Sequence, residues 1–276
     1  MRLPSLKNLV FSSALLTIGF APTVFAQEVP EDLIDDEHVR EEFGINEFTT
    51  PSIKKLFEDL DDLGTLPYDK LKRDYKAVNT RDRSILALNL GILISDGFLV
   101  VQSEKIAELQ NVGKEVLKQA KYLGSGMRVT KHTKSLLENS GLGEWDKLKS
   151  KLAETQVDVE AEMVMLRDVD IAHLVALGGW LRAFEIVATT SLDPFSTKKA
   201  TKLVRPDLVQ YFHESLQGLE PNLREKKHIQ DLITGVGELR ELLDLPPDTK
   251  IDEDRTKRLL KKSQQLIKIV NAQPSN

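Results

Sequence analysis

Four residues in this chain have the type and the surroundings to do chemistry: Asp96, His173, Arg182 and Glu185. Asp96 interrupts the apolar run from Ile92 to Val101 and shares a helical line with Asn89 and Ser103. A carboxylate in such surroundings needs a cation or hydrogen-bond donors, or it takes up a proton. Arg182, set in an equally apolar segment, is the candidate partner. Two readings follow. In the first, Asp96 and Arg182 form a buried pair that fixes helix register, the ordinary state of a buried charge. In the second they line a ligand site, with Glu185 and His173 beside them. Gly178, Arg182, Glu185 and Thr189 share one face, which reads as a narrow solvent-facing stripe with an i,i+3 ion pair.

Metal chemistry has a weaker claim. Asp170-x-x-His173 and Glu225-x-x-His228 have the spacing used by di-metal carboxylate bundles, which also need two inward carboxylates, here Asp96 and Glu185. A third pair, Asp35-x-x-His38, lies in an acidic run. With 43 Asp and Glu in the chain, such spacings arise by chance. His173 shares a face with Leu177, Trp180 and Phe184, which reads as a core histidine. The run Asp59-Leu60-Asp61-Asp62-Leu63-Gly64 resembles the start of a calcium loop. It fails at its fifth position, Leu63, and at its twelfth, where Lys70 stands in place of the bidentate Glu. The expectation is therefore no metal and no cofactor. No nucleophile elbow, zinc-protease helix, phosphate loop or dinucleotide fingerprint is present, and no catalytic residue is selected.

Those side chains need elements to hold them. Two segments are apolar nearly all round, 81–103 and 171–192, the pattern of helices buried on every side. Asp96, Arg182 and Glu185 make both poor membrane spans, since each charge costs roughly 2.5–3.5 kcal/mol at a bilayer centre. Each segment carries a ridge of small residues: Ala87, Gly91 and Ser95 in one, Ala172, Ala176, Gly179 and Ala183 in the other. Such ridges predict that the two helices cross closely. Around them the 3-4 spacing of Ile106, Leu109, Gly113, Val116, Ala120 and Leu123, ended by Gly124, predicts an amphipathic helix. Further helices are expected from Thr50-Pro51, around Pro67–Tyr75, over Arg128–Asn139 and Trp145–Val159, on both sides of Arg205-Pro206, from Pro221, and from Asp252 to about Asn271. Thr80 is the expected cap of the first central helix. No segment alternates with period 2. The fold class is all-α, a single multi-helix bundle of roughly nine or ten helices around the two central ones, occupying residues 50–276.

The N-terminus supplies an address. Residues 1–26 combine the basic Arg2 and Lys7, an apolar stretch and Val24-Phe25-Ala26, the form of a cleaved signal peptide. Residues 27–49 follow as an acidic, loosely ordered segment, with nine acids between Glu28 and Glu47 against Arg40 alone. The whole chain carries a net charge of −5, and losing the basic leader makes it more acidic, which argues against nucleic acid as a partner. With no cysteine, disulfides and thiol chemistry are excluded, and an acyl anchor is not expected. A basic cluster on the last helix, Arg255, Lys257, Arg258, Lys261 and Lys262, could meet an anionic membrane, but acids before bases also complement the helix dipole, and peripheral membrane contact is not expected. The mature chain is expected to have no transmembrane segment and to be exported, periplasmic or extracellular. The reading is a non-enzymatic helical protein with a binding or envelope-structural role, toward a protein partner or a small ligand. The alternative is an enzyme or a metal- or ligand-binding bundle with its site between the two central helices.

Overall fold

A computed structural model describes residues 63–124, 147–148, 150, 168–246 and 249–271. The chain divides into two units, 1–35 and 36–276, and every described residue belongs to the second. The expected signal peptide 1–26 and acidic segment 27–49, the helix expected from Thr50-Pro51 and that over Arg128–Asn139 lie outside the described residues. So does most of the segment Trp145–Val159, of which Leu148 is buried.

The described residues are mostly helical and contain no β-strand; Leu192 and Phe195 form an isolated bridge. In chain order the helices are α1 (Tyr68–Leu71), α2 (Arg83–Gln102), α3 (Ile106–Leu123), α4 (Val169–Ser191), α5 (Thr197–Ala200), α6 (Pro206–Gly218), α7 (Pro221–Arg224), α8 (Lys227–Leu243) and α9 (Glu253–Asn271), with a 3-10 turn at Thr201–Leu203. Six of these have thirteen residues or more, while α1, α5 and α7 are single turns. Fewer full helices therefore stand among the described residues than the nine or ten expected.

Local chemistry explains the boundaries. Asp82, not Thr80, caps α2: its carboxylate accepts the Ser84 N–H at 3.0 Å, and Thr80 accepts the Asp82 N–H one step earlier. Gly124 ends α3 at φ +98°, a conformation that favours glycine. Pro206 and Pro221 each occupy a first helical position, where the missing N–H costs nothing. The helix expected around Pro67–Tyr75 is shorter than its sequence suggests. It stops at Leu71, and residues 72–80 carry no regular structure. Side chains of α3 take the place of helical hydrogen bonds there. Glu115 accepts the Ala77 N–H at 2.7 Å, and Gln119 accepts the Val78 N–H at 2.7 Å while donating to the Leu86 carbonyl at 3.0 Å. Residues 72–80 thus form a strap clamped by α3.

Helices α2 and α4 are the centre. Every residue of α2 from Ser84 to Val101 is buried, and most of α4 is buried too. Both are long and apolar enough to cross a membrane, yet both are enclosed by the fold. The pair is the most extensive packing in the unit; α3 covers α2, α9 covers α4, α6 and α8 pack on each other, α8 also packs on α9, and α6 touches α4. The crossing of α2 and α4 is backbone on backbone. A Cβ on Gly91 would lie 2.6 Å from the Gly179 nitrogen and closer still to the Val175 carbonyl oxygen. A Cβ on Gly178 would lie 2.8 Å from the Leu88 carbonyl carbon and closer still to its oxygen. Ser95 donates to the Gly179 carbonyl across the same contact at 2.8 Å.

Neither backbone can step aside there, so Gly91→Ala and Gly178→Ala should each destabilise by about 1–3 kcal/mol. This is despite a helix-propensity gain of up to ~1 kcal/mol. Gly218→Ala, in open space at the end of α6, should show that gain unopposed. Urea unfolding of the three variants checks the close crossing; equal or greater stability of both core variants would contradict it.

Candidate functional site

The crossing of α2 and α4 sets Asp96 beside Arg182. The Arg182 Nε donates to Asp96 Oδ1 at 2.8 Å, its Nη1 to Glu185 Oε2 at 2.5 Å, and its Nη2 to the Leu71 carbonyl at the end of α1 at 2.6 Å. The strap completes the set. Arg73 donates to the other Asp96 oxygen from Nε at 2.7 Å and Nη2 at 2.5 Å. Asp96 is wholly buried and the Arg182 side chain is 2% exposed, while Glu185 and Arg73 reach the surface at 15% and 22%. Two guanidiniums against two carboxylates make the cluster neutral. Burial alone would depress the Arg182 pKa, but the Asp96 and Glu185 charges outweigh it and hold it above the ordinary arginine value.

The stripe Gly178–Arg182–Glu185–Thr189 therefore does not face solvent; Gly178 and Arg182 are buried because α2 and the end of α1 lie over them. Three of the four residues singled out in the sequence come together, and all three guanidinium nitrogens of Arg182 already have protein partners. The arrangement's chemistry is that of a charge clamp: it tethers α1 and the strap to the central pair.

His173 is elsewhere, nine residues or roughly 14 Å up α4. Its Nδ1 lies 2.8 Å from the Tyr211 hydroxyl of α6, and the rings meet edge-on at 6.0 Å. Burial lowers its pKa, opposed by Asp170. Below it Trp180 stacks against Phe184 at 5.3 Å and against Phe212 at 5.0 Å. Asp170 accepts the Glu220 N–H at 2.8 Å. The di-metal set is not assembled: His173, His228 and the Asp96–Glu185 pair occupy three separate places. No group of three or more candidate ligands clusters for a metal among the described residues.

Sequence spacing could not show a second polar cluster, built by residues 144 apart. Ser84 Oγ lies 2.5 Å from Asp82 Oδ1 and 2.8 Å from His228 Nε2, and Lys226 donates to the same Asp82 oxygen at 2.9 Å. Burial alone would raise the Asp82 pKa, but Ser84 and Lys226 outweigh it and lower it. The residue types are those of a hydrolytic triad, but the order is different: the carboxylate binds the serine rather than orienting the imidazole. Ser84 is also sealed from solvent. The cluster is an elaborated helix cap joining α2 to α8.

Open space lies at the other end of α2. A cleft of about 660 Å³ runs between residues 64–70 and the α2–α3 turn, 102–105. Tyr68 stands beneath Lys105, whose Nζ is 5.5 Å from the ring centre, and Lys70 pairs with Asp193 at 2.7 Å. Glu104 takes a left-handed φ of +53°, uncommon for a residue with a side chain. The buried Ser103 hydroxyl has no hydrogen-bond partner. Behind the cleft the Tyr68 and Tyr75 hydroxyls meet at 2.9 Å, and burial followed by that contact pushes the Tyr75 pKa far up. Lys70, the residue that spoils the calcium-loop pattern, is part of this wall. Of the basic cluster on α9, Lys257 pairs with Glu253 at 2.7 Å and Lys262 with Glu238 at 2.5 Å, whereas Arg258 and Lys261 are exposed.

Removing one partner from a buried ion cluster strands the other. Arg182→Met should therefore cost about 3–5 kcal/mol in urea unfolding. Arg73→Met should cost less, because water reaches the strap side. The reverse order of the two would contradict the clamp.

No protein-family model, no curated protein and no solved structure matches the chain.

Proposed function

We propose that this is an exported, non-enzymatic helical protein that acts by binding, with the cleft between residues 64–70 and 102–105 as its ligand-facing surface. One contrast carries the reading. The ionisable groups at the centre are consumed by each other, while the cleft presents the exposed Thr65, Glu104 and Lys105. A surface of backbone, hydroxyl and opposite charges suits recognition of a small polar ligand or a polar loop of a partner; it has no base, nucleophile and orienting group in line. Export rests on residues 1–26, whose basic start, apolar middle and Val24-Phe25-Ala26 end suit cleavage after Ala26.

The enzyme alternative has one specific observation in its favour, the 2.8 Å Ser84–His228 contact. Its weakness is access, since Ser84 is sealed and its hydroxyl is already held by Asp82.

Two measurements test the proposal. Protein expressed with its own leader and recovered from the envelope fraction should begin at Gln27; cytoplasmic protein retaining Met1 would overturn export. An alkyl fluorophosphonate should leave the folded protein unlabelled. Covalent modification of Ser84 would replace the binding reading with a hydrolytic one.

A further inference from the structure

The three described histidines all sit where helices of the outer layer meet their neighbours. His173 on α4 touches the Tyr211 hydroxyl on α6 at 2.8 Å. His213 on α6 packs on α8, its Nε2 3.2 Å from where a Cβ on Gly237 would lie. His228 at the start of α8 touches the Ser84 hydroxyl of α2 at 2.8 Å. The layer formed by α6 and α8 packs on α9 through α8, and meets α4 at the His173 imidazole and Trp180, and α2 at the His228 imidazole. The central pair is fastened internally by the Asp96–Arg182 clamp and by glycine contacts, neither of which contains a histidine.

We propose that α6 and α8 form an acid-released layer, in which protonation of His173 and His228 loosens its attachment while α2 and α4 stay packed. The proton inventory explains why. In the neutral His173–Tyr211 pair one partner donates to the other; the imidazolium has a hydrogen on both nitrogens, so its Nδ1 can only donate to the hydroxyl oxygen, and a charge enters the half-buried junction. Asp170, on the same helix, favours that charge and so counters the effect of burial. At His228, Ser84 uses its only hydrogen on Asp82 and accepts from the imidazole Nε2–H. That bond survives protonation, but a charge then enters a half-buried place. Lys226 repels it, and Asp82 from α2 and Asp231 from α8 draw it in.

Burial is the largest effect at both sites and depresses both pKa values below the ordinary histidine value of about 6.5. A histidine with a depressed folded pKa binds protons more tightly once its junction opens. Its contribution to holding the layer is therefore complete above about pH 6.5 and is lost as the pH falls. His173 is the more deeply buried and should dominate. The device does not depend on the binding proposal, since none of its residues lines the cleft.

Hydrogen–deuterium exchange on the full mature chain tests it, comparing about pH 7.5 with about pH 5 after correction for intrinsic rates. Protection of amides in α6 and α8 should fall at the lower pH by roughly tenfold relative to α2 and α4. In the double variant His173→Gln, His228→Gln that relative loss should disappear. An unchanged ratio in the parent, or a loss that persists in the variant, overturns the proposal. If the variant does not fold, an NMR titration of the parent decides: histidine pKa values below the ordinary value support the device, and values at or above it refute it.

Discussion

The structure depends on the contact between α2 and α4 at Gly91 and Gly178. Backbone meets backbone there, with the Gly179 nitrogen and the Leu88 carbonyl where side chains would otherwise stand. Glycine in mid-helix costs up to ~1 kcal/mol against alanine, and two helices that approach this closely recover it through packing along their length. The consequence reaches beyond stability. Only at this separation does Ser95 reach the Gly179 carbonyl, and only in this register does Asp96 lie against Arg182.

From that register the rest of this face follows. A wholly buried carboxylate must be matched, and the unit matches it twice, from α4 and from the strap. Arg182 then has a nitrogen left for the Leu71 carbonyl, which anchors α1, the back wall of the open cleft. Glu115 and Gln119 hold the strap from the other side through its own N–H groups, which is why residues 72–80 lie flat without being helical. The polar residues of this region serve each other first, and the surface available to a ligand is what remains at the mouth.

Much of this is legible in the sequence and some is not. Two segments without a polar face announce two buried helices, and their small-residue ridges announce the crossing, because period and side-chain size are local properties. Asp96 and Arg182 are identifiable as partners because an apolar run makes an isolated charge conspicuous. Arg73 is not, because it sits in an ordinary polar stretch and gains its meaning from a strap whose path is set by Glu115 and Gln119, some forty residues on. The solvent-facing stripe expected at Arg182 fails for a related reason: helical spacing shows which residues share a face, not what covers it. His228 has the look of a charged surface helix, and its partner Ser84 is 144 residues away. The cleft arises at a turn where Glu104 adopts a positive φ, a feature with no glycine to signal it.

The central claim is that the charge on Asp96 and the charge on Arg182 are one structural unit held in register by the α2–α4 crossing. A double-mutant cycle with Asp96→Asn and Arg182→Met, read by urea unfolding, measures this most directly. Partners in direct contact should show a coupling energy at the upper end of the range of about 0.5–3 kcal/mol, the double variant losing much less than the sum of the single ones. Losses that add to within ~0.3–0.5 kcal/mol would mean that the two residues act independently, and the core would not be organised around their pairing.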